Sequence, residues 1–311
     1  MKKKKTRSAS SSPDDPVTSY AISVIDGTLI AGPHVRAQCK RHLLDIEYGA
    51  ARGLVWDKAR ALLAIEFFET VLHLNGGEYE GLPFKLLWWQ KFIVGSLFGW
   101  IGADGFRRFR SGYVETAKGS GKSPLAAGIG MSGLVADGES RAEVYSAATK
   151  KDQAMILFRD AVAMVDHSPE LTTRLQKSGT GERCWNLAYM ATGSFFRPIS
   201  SDDGQSGPRP HIALIDEIHE HKTNNVVEMM RAGTKSRRQA LIFMITNSGS
   251  SRHGPCWGYH EYGAQVAAGT RIDDSFFPYI CSLDEDDDPF ADEECWPKAN
   301  PSLQEADLPG L

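Results

Sequence analysis

Cysteine is scarce and badly placed for any covalent framework. The 311-residue chain has five, Cys39, Cys184, Cys256, Cys281 and Cys295, and no CxxC pair. An odd, dispersed set excludes a disulfide scaffold or a zinc knuckle and fits a reducing compartment. Long apolar runs are missing too. A membrane span needs roughly 18 to 20 apolar residues, and the longest stretch, Leu86 to Ile101, is broken by Gln90, Lys91, Ser96, Gly95 and Gly99. The basic start, MKKKK, has no apolar segment behind it, which excludes a secretory leader. Charge of one sign is also lacking. The net charge of −4 is not that of a polycation, so any contact with nucleic acid must come from a local patch. His219 and His221 stand beside Glu217 and Glu220 without HExxH spacing, so zinc is not expected.

What is present is an ordinary globular composition, 41% hydrophobic and 24% charged, long enough for one large domain or two modest ones. Residues 1–16 read as a disordered basic arm. Residues 17–105 read as a helical segment. Val35, Cys39, His42, Leu43 and Ile46 share one helix face, as do Ala61, Ile65, Phe68 and Leu72. Asn75-Gly76-Gly77 is a stop signal, and a third helix is expected from Leu87 to Phe98.

Strands and helices alternate over residues 106–283. Strands are expected at Ser111 to Thr116, Glu143 to Ala148, His211 to Ile215 and Ala240 to Thr246, with one or two more within Tyr189 to Pro198. Helices are expected from Ser123 to Val135 and after Thr149, which is placed to cap the second of them. Buried apolar strands alternating with helices give an α/β fold with a parallel-rich central sheet flanked by helices. Residues 284–311 read as an acidic, solvated linker that starts with Asp284-Glu285-Asp286-Asp287-Asp288.

Four segments carry chemistry. Lys118-Gly119-Ser120-Gly121-Lys122-Ser123 falls between a predicted strand and a predicted helix. Backbone N–H groups there can converge on phosphate, Lys122 can meet the β and γ oxygens, and the Ser123 hydroxyl can hold Mg²⁺. By composition a bare GK[ST] tripeptide arises about 0.15 times in a chain of this length, so its placement matters more than its presence. Thr116 stands where the usual pattern has its first Gly. The second segment, Ile212 to Glu217, is an apolar strand delivering Asp216 and Glu217 to the sheet's C-terminal edge. Asp216 suits Mg²⁺ and Glu217 suits polarising the attacking water. Third, Thr246-Asn247 ends another strand and is placed to sense a terminal phosphate. Fourth, Gln90 offers both a donor and an acceptor to an adenine edge, with Trp88, Trp89 and Phe92 available for stacking.

In this order and spacing the segments resemble the large terminase subunit of tailed bacteriophages. Trp88-Trp89-Gln90-Lys91-Phe92 is similar to that family's adenine-binding segment, and Glu115 to Ser123 to its variant phosphate loop. Lys118 stands where the family commonly has Arg. Ala147-Ala148-Thr149 with Gln153-Ala154 and Asn300-Pro301 also resemble family segments. The resemblance implies a P-loop NTPase fold of the RecA/ASCE type, with ATP and Mg²⁺ as cofactors. Implied ATP-binding residues are Gln90, Thr116, Ala117, Lys118, Gly119, Ser120, Gly121, Lys122 and Ser123. Catalytic roles fall to Glu217 and Lys122, metal roles to Ser123 and Asp216, and coupling to Thr246 and Asn247. It further implies double-stranded DNA, a small terminase subunit and a portal-bearing procapsid as partners. The expected states are a homo-oligomeric ring when assembled and a monomer in isolation, in the host cytoplasm and with no membrane. Arg159, Arg183, Arg231, Arg237 and Arg238 are candidates to complete a neighbour's site. The family's nuclease domain is not expected in this chain, nor is nuclease activity. Two other classes share these segments: a DExH-type helicase or other DNA-dependent ATPase, and a nucleotide-binding assembly scaffold with little turnover.

Overall fold

The computed structural model describes residues 15–200 and 207–307. Most of the basic arm lies outside them. Asp15 caps the first helix, accepting hydrogen bonds from the N–H groups of Val17 and Thr18, with Pro16 in the first turn.

Four N-terminal helices come first: α1 (Pro16–Ile25), α2 (Pro33–Tyr48), α3 (Lys58–Val71) and α4 (Trp88–Gly99). Two short strands, β1 (Val55–Trp56) and β2 (Trp100–Ile101), pair antiparallel between them. The main sheet uses β3 (Ser111–Glu115), β4 (Glu143–Ala148), β5 (Leu175–Ser178), β6 (Asn186–Tyr189), β7 (Ser194–Ser200), β8 (Ile212–Ile215), β9 (Leu241–Thr246) and β10 (Phe276–Ile280). Its order is β10-β3-β9-β8-β4-β7-β6-β5, parallel from β10 to β7 and antiparallel over the last two pairings. The later helices are α5 (Lys122–Val135), α6 (Lys151–His167), α7 (Pro169–Arg174), α8 (Asn225–Gly233), α9 (Pro255–Ala268) and α10 (Trp296–Ala299).

The sheet is covered on both sides, and the strands show why. In β8 and β9 successive side chains alternate between two cores. Ile212, Leu214, Leu241 and Phe243 join the core that holds α4, α5 and α6. Ala213, Ile215, Ile242 and Met244 join the other, under α8 and α9. β8 is therefore apolar throughout and β9 apolar from Leu241 to Ile245, as a parallel sheet covered on both faces requires. Close helix packing needs missing side chains at two points. A Cβ on Gly128 of α5 would stand 2.2 Å from the Phe68 ring, and one on Gly95 of α4 would stand 2.2 Å from Val17.

Buried charge ties the helical group to the sheet. Arg108 is 4% exposed and donates to Asp45 of α2 at 2.7 Å and to Asp274 at 2.8 Å, just before β3 and β10 begin. This pairing corrects the expected face of α2. Val35, Cys39 and His42 are buried as expected, but Ile46 is 41% exposed because the helix turns Asp45 inward to meet Arg108. A second correction falls at α6. Lys150 occupies its N-cap without a side-chain hydrogen bond, and the Thr149 hydroxyl binds Gln153 instead. The acidic segment is more anchored than a solvated linker. Asp284 pairs with Arg36 and Lys298, Asp287 pairs with Lys298, and Gln304 bonds the backbone of Ile30.

His42 gives the fold a pH signature. Its ring is buried, with Nδ1 accepting from Trp100 Nε1–H at 3.0 Å and Nε2 lying 3.2 Å from the Thr18 hydroxyl. Burial pushes its pKa down to about 4 from 6.5, against a weaker pull upward from Asp15 and Asp45. Between those values the unfolded chain takes up a proton that the folded chain refuses. Stability that is present above pH ~6.5 is therefore lost as pH falls towards ~4, by about 3 kcal/mol in all. Thermal melts of wild type and His42→Gln across this window should diverge, with the wild type losing more. Parallel curves would remove His42 as the cause.

Candidate nucleotide site

The turn between β3 and α5 is built by two glycines. Gly119 has φ +79° and Gly121 φ +83°, the left-handed region that glycine takes at little cost. These angles fold the chain back over the N-terminus of α5, where backbone N–H groups have no helical acceptor. Lys118 and Gly119 face solvent, Ala117, Gly121 and Ser123 are partly exposed, and Thr116, Ser120 and Lys122 are buried.

Lys122 turns back into the loop it belongs to. Its Nζ donates to the carbonyls of Thr116 at 3.1 Å and Ala117 at 2.7 Å, and to Asn247 Oδ1 at 2.6 Å. Burial lowers its pKa, while Glu217 and Asp216 pull it back up. The cation is thus held by neutral oxygens beside two carboxylates, poised for anionic oxygens that would bind it more strongly.

Asp216 and Glu217 follow β8 directly. Asp216 is 8% exposed, and its Oδ1 has no hydrogen-bond partner. Burial, and then repulsion from Glu217, raise its pKa to about 7. Glu217 takes φ +46°, rare for a residue with a side chain, and such strain is held where the surroundings demand it. Asn247 Nδ2 lies 3.5 Å from Glu217 Oε1. Asn247 thereby stands between Lys122 and Glu217, accepting from one and facing the other. Strand order explains the meeting, because β9 lies between β3 and β8 and delivers Thr246-Asn247 to the same edge.

The contacts of two residues, His219 and Glu115, were not visible in the sequence. His219 Nδ1 lies 3.1 Å from Glu217 Oε2 and 3.0 Å from Thr246 Oγ1, and its N–H donates to the same hydroxyl. It joins the carboxylate strand to the end of β9, a role the DExH string alone did not specify. Glu115, buried just before the loop, accepts from Tyr113, from Ser248 and from His260 Nδ1 at 2.9 Å. That carboxylate ties the base of the loop to the segment after Asn247 and to α9. Its pKa is lowered overall, with the burial that would raise it outweighed by His260, Tyr113 and Ser248.

Gln90 sits against the loop, with Nε2 3.3 Å from where a Gly121 Cβ would stand. Its Oε1 already accepts from Leu87 N–H at the start of α4. The amide therefore offers its donor arm freely and its acceptor only as a shared one. The expected stacking partners need correction. Trp89 and Phe92 are completely buried, Trp89 stacked on Tyr279 at 5.8 Å and Phe92 beside Tyr20 at 5.1 Å, so neither presents a face to a base. Only Trp88 is partly exposed.

The residues fit a phosphate chain. Ser120 Oγ and Asp216 Oδ1 are buried polar atoms without partners, the two glycines open the turn, and a buried lysine supplies the counter-charge. Metal held by protein alone is a different matter. Among the described residues no group of three or more His, Cys, Asp or Glu is arranged to hold an ion. Of the candidate trans-acting arginines, Arg237 is committed to Glu139 and to the Arg141 carbonyl, while Arg159, Arg183, Arg231 and Arg238 are exposed.

A glycine turn between strand and helix, with a buried lysine and two carboxylates ending a strand two places away, defines the α/β P-loop NTPase fold. Within that class a family model described as "Terminase large subunit, ATPase domain" matches residues 88–265, more than half of the chain. The chain belongs to that family. Over 97 residues it is 36% identical to Protein YmfN of Escherichia coli (strain K12), covering 31% of this chain and 21% of that protein. Over 192 residues it is 23% identical to the terminase large subunit of Enterobacteria phage HK97, covering 60% and 36% respectively. Among solved structures, the HK97 bacteriophage large terminase superposes with a TM-score of 0.66 at 19% identity, over 80% of this chain and 49% of that one. The chain thus spans between a fifth and a half of the length of these relatives.

Proposed function

We propose that the chain is the ATP-hydrolysing motor domain of a phage DNA-packaging terminase, coupling hydrolysis to movement of double-stranded DNA into a procapsid. One observation carries this: Lys122, Asn247 and Glu217 meet at one sheet edge, although they come from three separate segments. Thr116 to Ser123 would wrap the phosphate chain, and Gln90 would read adenine with its donor arm. Ser123 and Asp216 would hold Mg²⁺, which when bound neutralises charge on the phosphate oxygens. Glu217 would orient the attacking water and take its proton. Lys122 would exchange the carbonyls of Thr116 and Ala117 for phosphate oxygens. Exchange of its third bond, to Asn247 Oδ1, would free that side chain, and Thr246 and His219 would supply the route by which β9 feels the change. The small terminase subunit and the portal-bearing procapsid are the partners such a motor needs, in the host cytoplasm. No helix of the described residues is long and apolar enough to cross a membrane.

A motor completed by a neighbour's arginine works only when assembled. Phosphate release per molecule should therefore rise steeply with protein concentration in a steady-state assay. A rate per molecule that stays flat and near zero while ATP binds would favour an assembly scaffold and overturn the motor.

A further inference from the structure

A cavity of about 760 Å³ lies away from the nucleotide site. It lies between α8 and α9, over the first residues of β3 and β10 and the start of β9, at the opposite end of the strands from the phosphate loop. No residue of the loop, of Asp216-Glu217 or of Thr246-Asn247 lines it. Its volume is that of an ordinary ligand cleft.

The lining has a one-sided charge. Arg110, Arg231, Lys235 and Arg237 bring four cations to it, and Asp273 is the carboxylate among the lining residues. Asp273 is already used, accepting from the Tyr262 hydroxyl at 2.6 Å and from the backbone and hydroxyl of Ser275. Two of the cations are held in place. Arg110 donates to Asp104 at 2.9 Å and to the Arg107 carbonyl at 2.8 Å, and Arg237 donates to Glu139 and the Arg141 carbonyl. The other two, Arg231 and Lys235, are exposed on the rim. Tyr259 and Tyr262 add flat, partly buried rings between the helices. Held guanidinium groups, exposed cations and ring faces together suit an anion with several oxygens carried on a larger body.

We propose that this cleft is a second anion site, binding phosphate esters independently of the nucleotide loop. Two sources share that chemistry: the backbone of a polynucleotide and a free polyphosphate. The position gives the site consequence. Helix α8 follows Asp216-Glu217, and α9 follows Thr246-Asn247, so both walls of the cleft continue from segments at the nucleotide edge.

The test compares wild type with Arg231→Ala/Lys235→Ala, and with the charge-reversed Arg231→Glu/Lys235→Glu. Both side chains are exposed, so the fold should survive, and an unchanged thermal melting temperature serves as the check. Anisotropy titrations of a short labelled duplex over a range of salt form the first arm. Calorimetric titration with inorganic pyrophosphate forms the second. If the source is a polynucleotide, the alanine variant binds DNA several-fold more weakly, and the slope of log K against log salt falls by about two. The charge-reversed variant is weaker still. If the source is a free polyphosphate, DNA binding is unchanged and the variants lose a second pyrophosphate site that wild type shows. Wild-type DNA affinity, salt slope and pyrophosphate stoichiometry in both variants would overturn the proposal.

Discussion

Glu217→Gln should bind ATP about as tightly as wild type and hydrolyse it roughly 10² to 10⁴ times more slowly, the range that a positioned general base contributes. The substitution keeps the side chain's length and its place beside Asn247 Nδ2, so the loop and the Lys122 tether stay intact. What it removes is the charge we propose to orient water and accept its proton. The φ of +46° at this position already carries its strain in wild type, so the fold loses nothing further. Single-turnover phosphate release together with calorimetric ATP affinity separates the two effects. Hydrolysis at the wild-type rate would remove Glu217 from the catalytic role.

Lys122→Ala should instead act on binding, weakening ATP by about 10- to 100-fold, the value of a hydrogen-bonded charge at a partly desolvated site. The ammonium donates to two loop carbonyls and to Asn247. Its removal leaves those acceptors without their donor and takes away the counter-charge that faces Asp216 and Glu217. Nucleotide affinity and loop order should therefore fall together. Unchanged affinity by calorimetry would detach the phosphate-loop assignment from this turn.

Much of this site could be read along the chain because its signals are local. A turn that needs two left-handed residues shows itself as Gly119 and Gly121, and a buried parallel strand shows itself as the unbroken apolar run Ile212 to Ile215. Strand β4 matches its expected bounds, Glu143–Ala148, although Glu143 and Ser146 interrupt its apolar run. Strand β10 was not expected. Pro278 interrupts Phe276-Phe277-Pro278-Tyr279-Ile280, and a proline argues against a strand unless the strand lies at an edge. β10 is that edge, paired only to β3. The aromatic residues around Gln90 misled in the opposite direction. Trp89 and Phe92 look like a base-stacking platform in sequence, yet helical spacing sends them into the core.

By itself, then, the sequence determined the α/β alternation, the two-glycine turn before α5 and the pair of carboxylates after β8, because each depends on neighbouring residues and on backbone angles that few residue types accept. Only the tertiary structure decided that Lys122 rests on Asn247, 125 positions away, and that Asn247 faces Glu217. It also decided that His219 joins Glu217 to Thr246, and that Arg110 meets the cations of residues 231–237 in one cleft at the far end of the strands. Those meetings depend on which strands lie side by side. That order follows from how two apolar faces of one sheet are buried at once, and no single segment carries it.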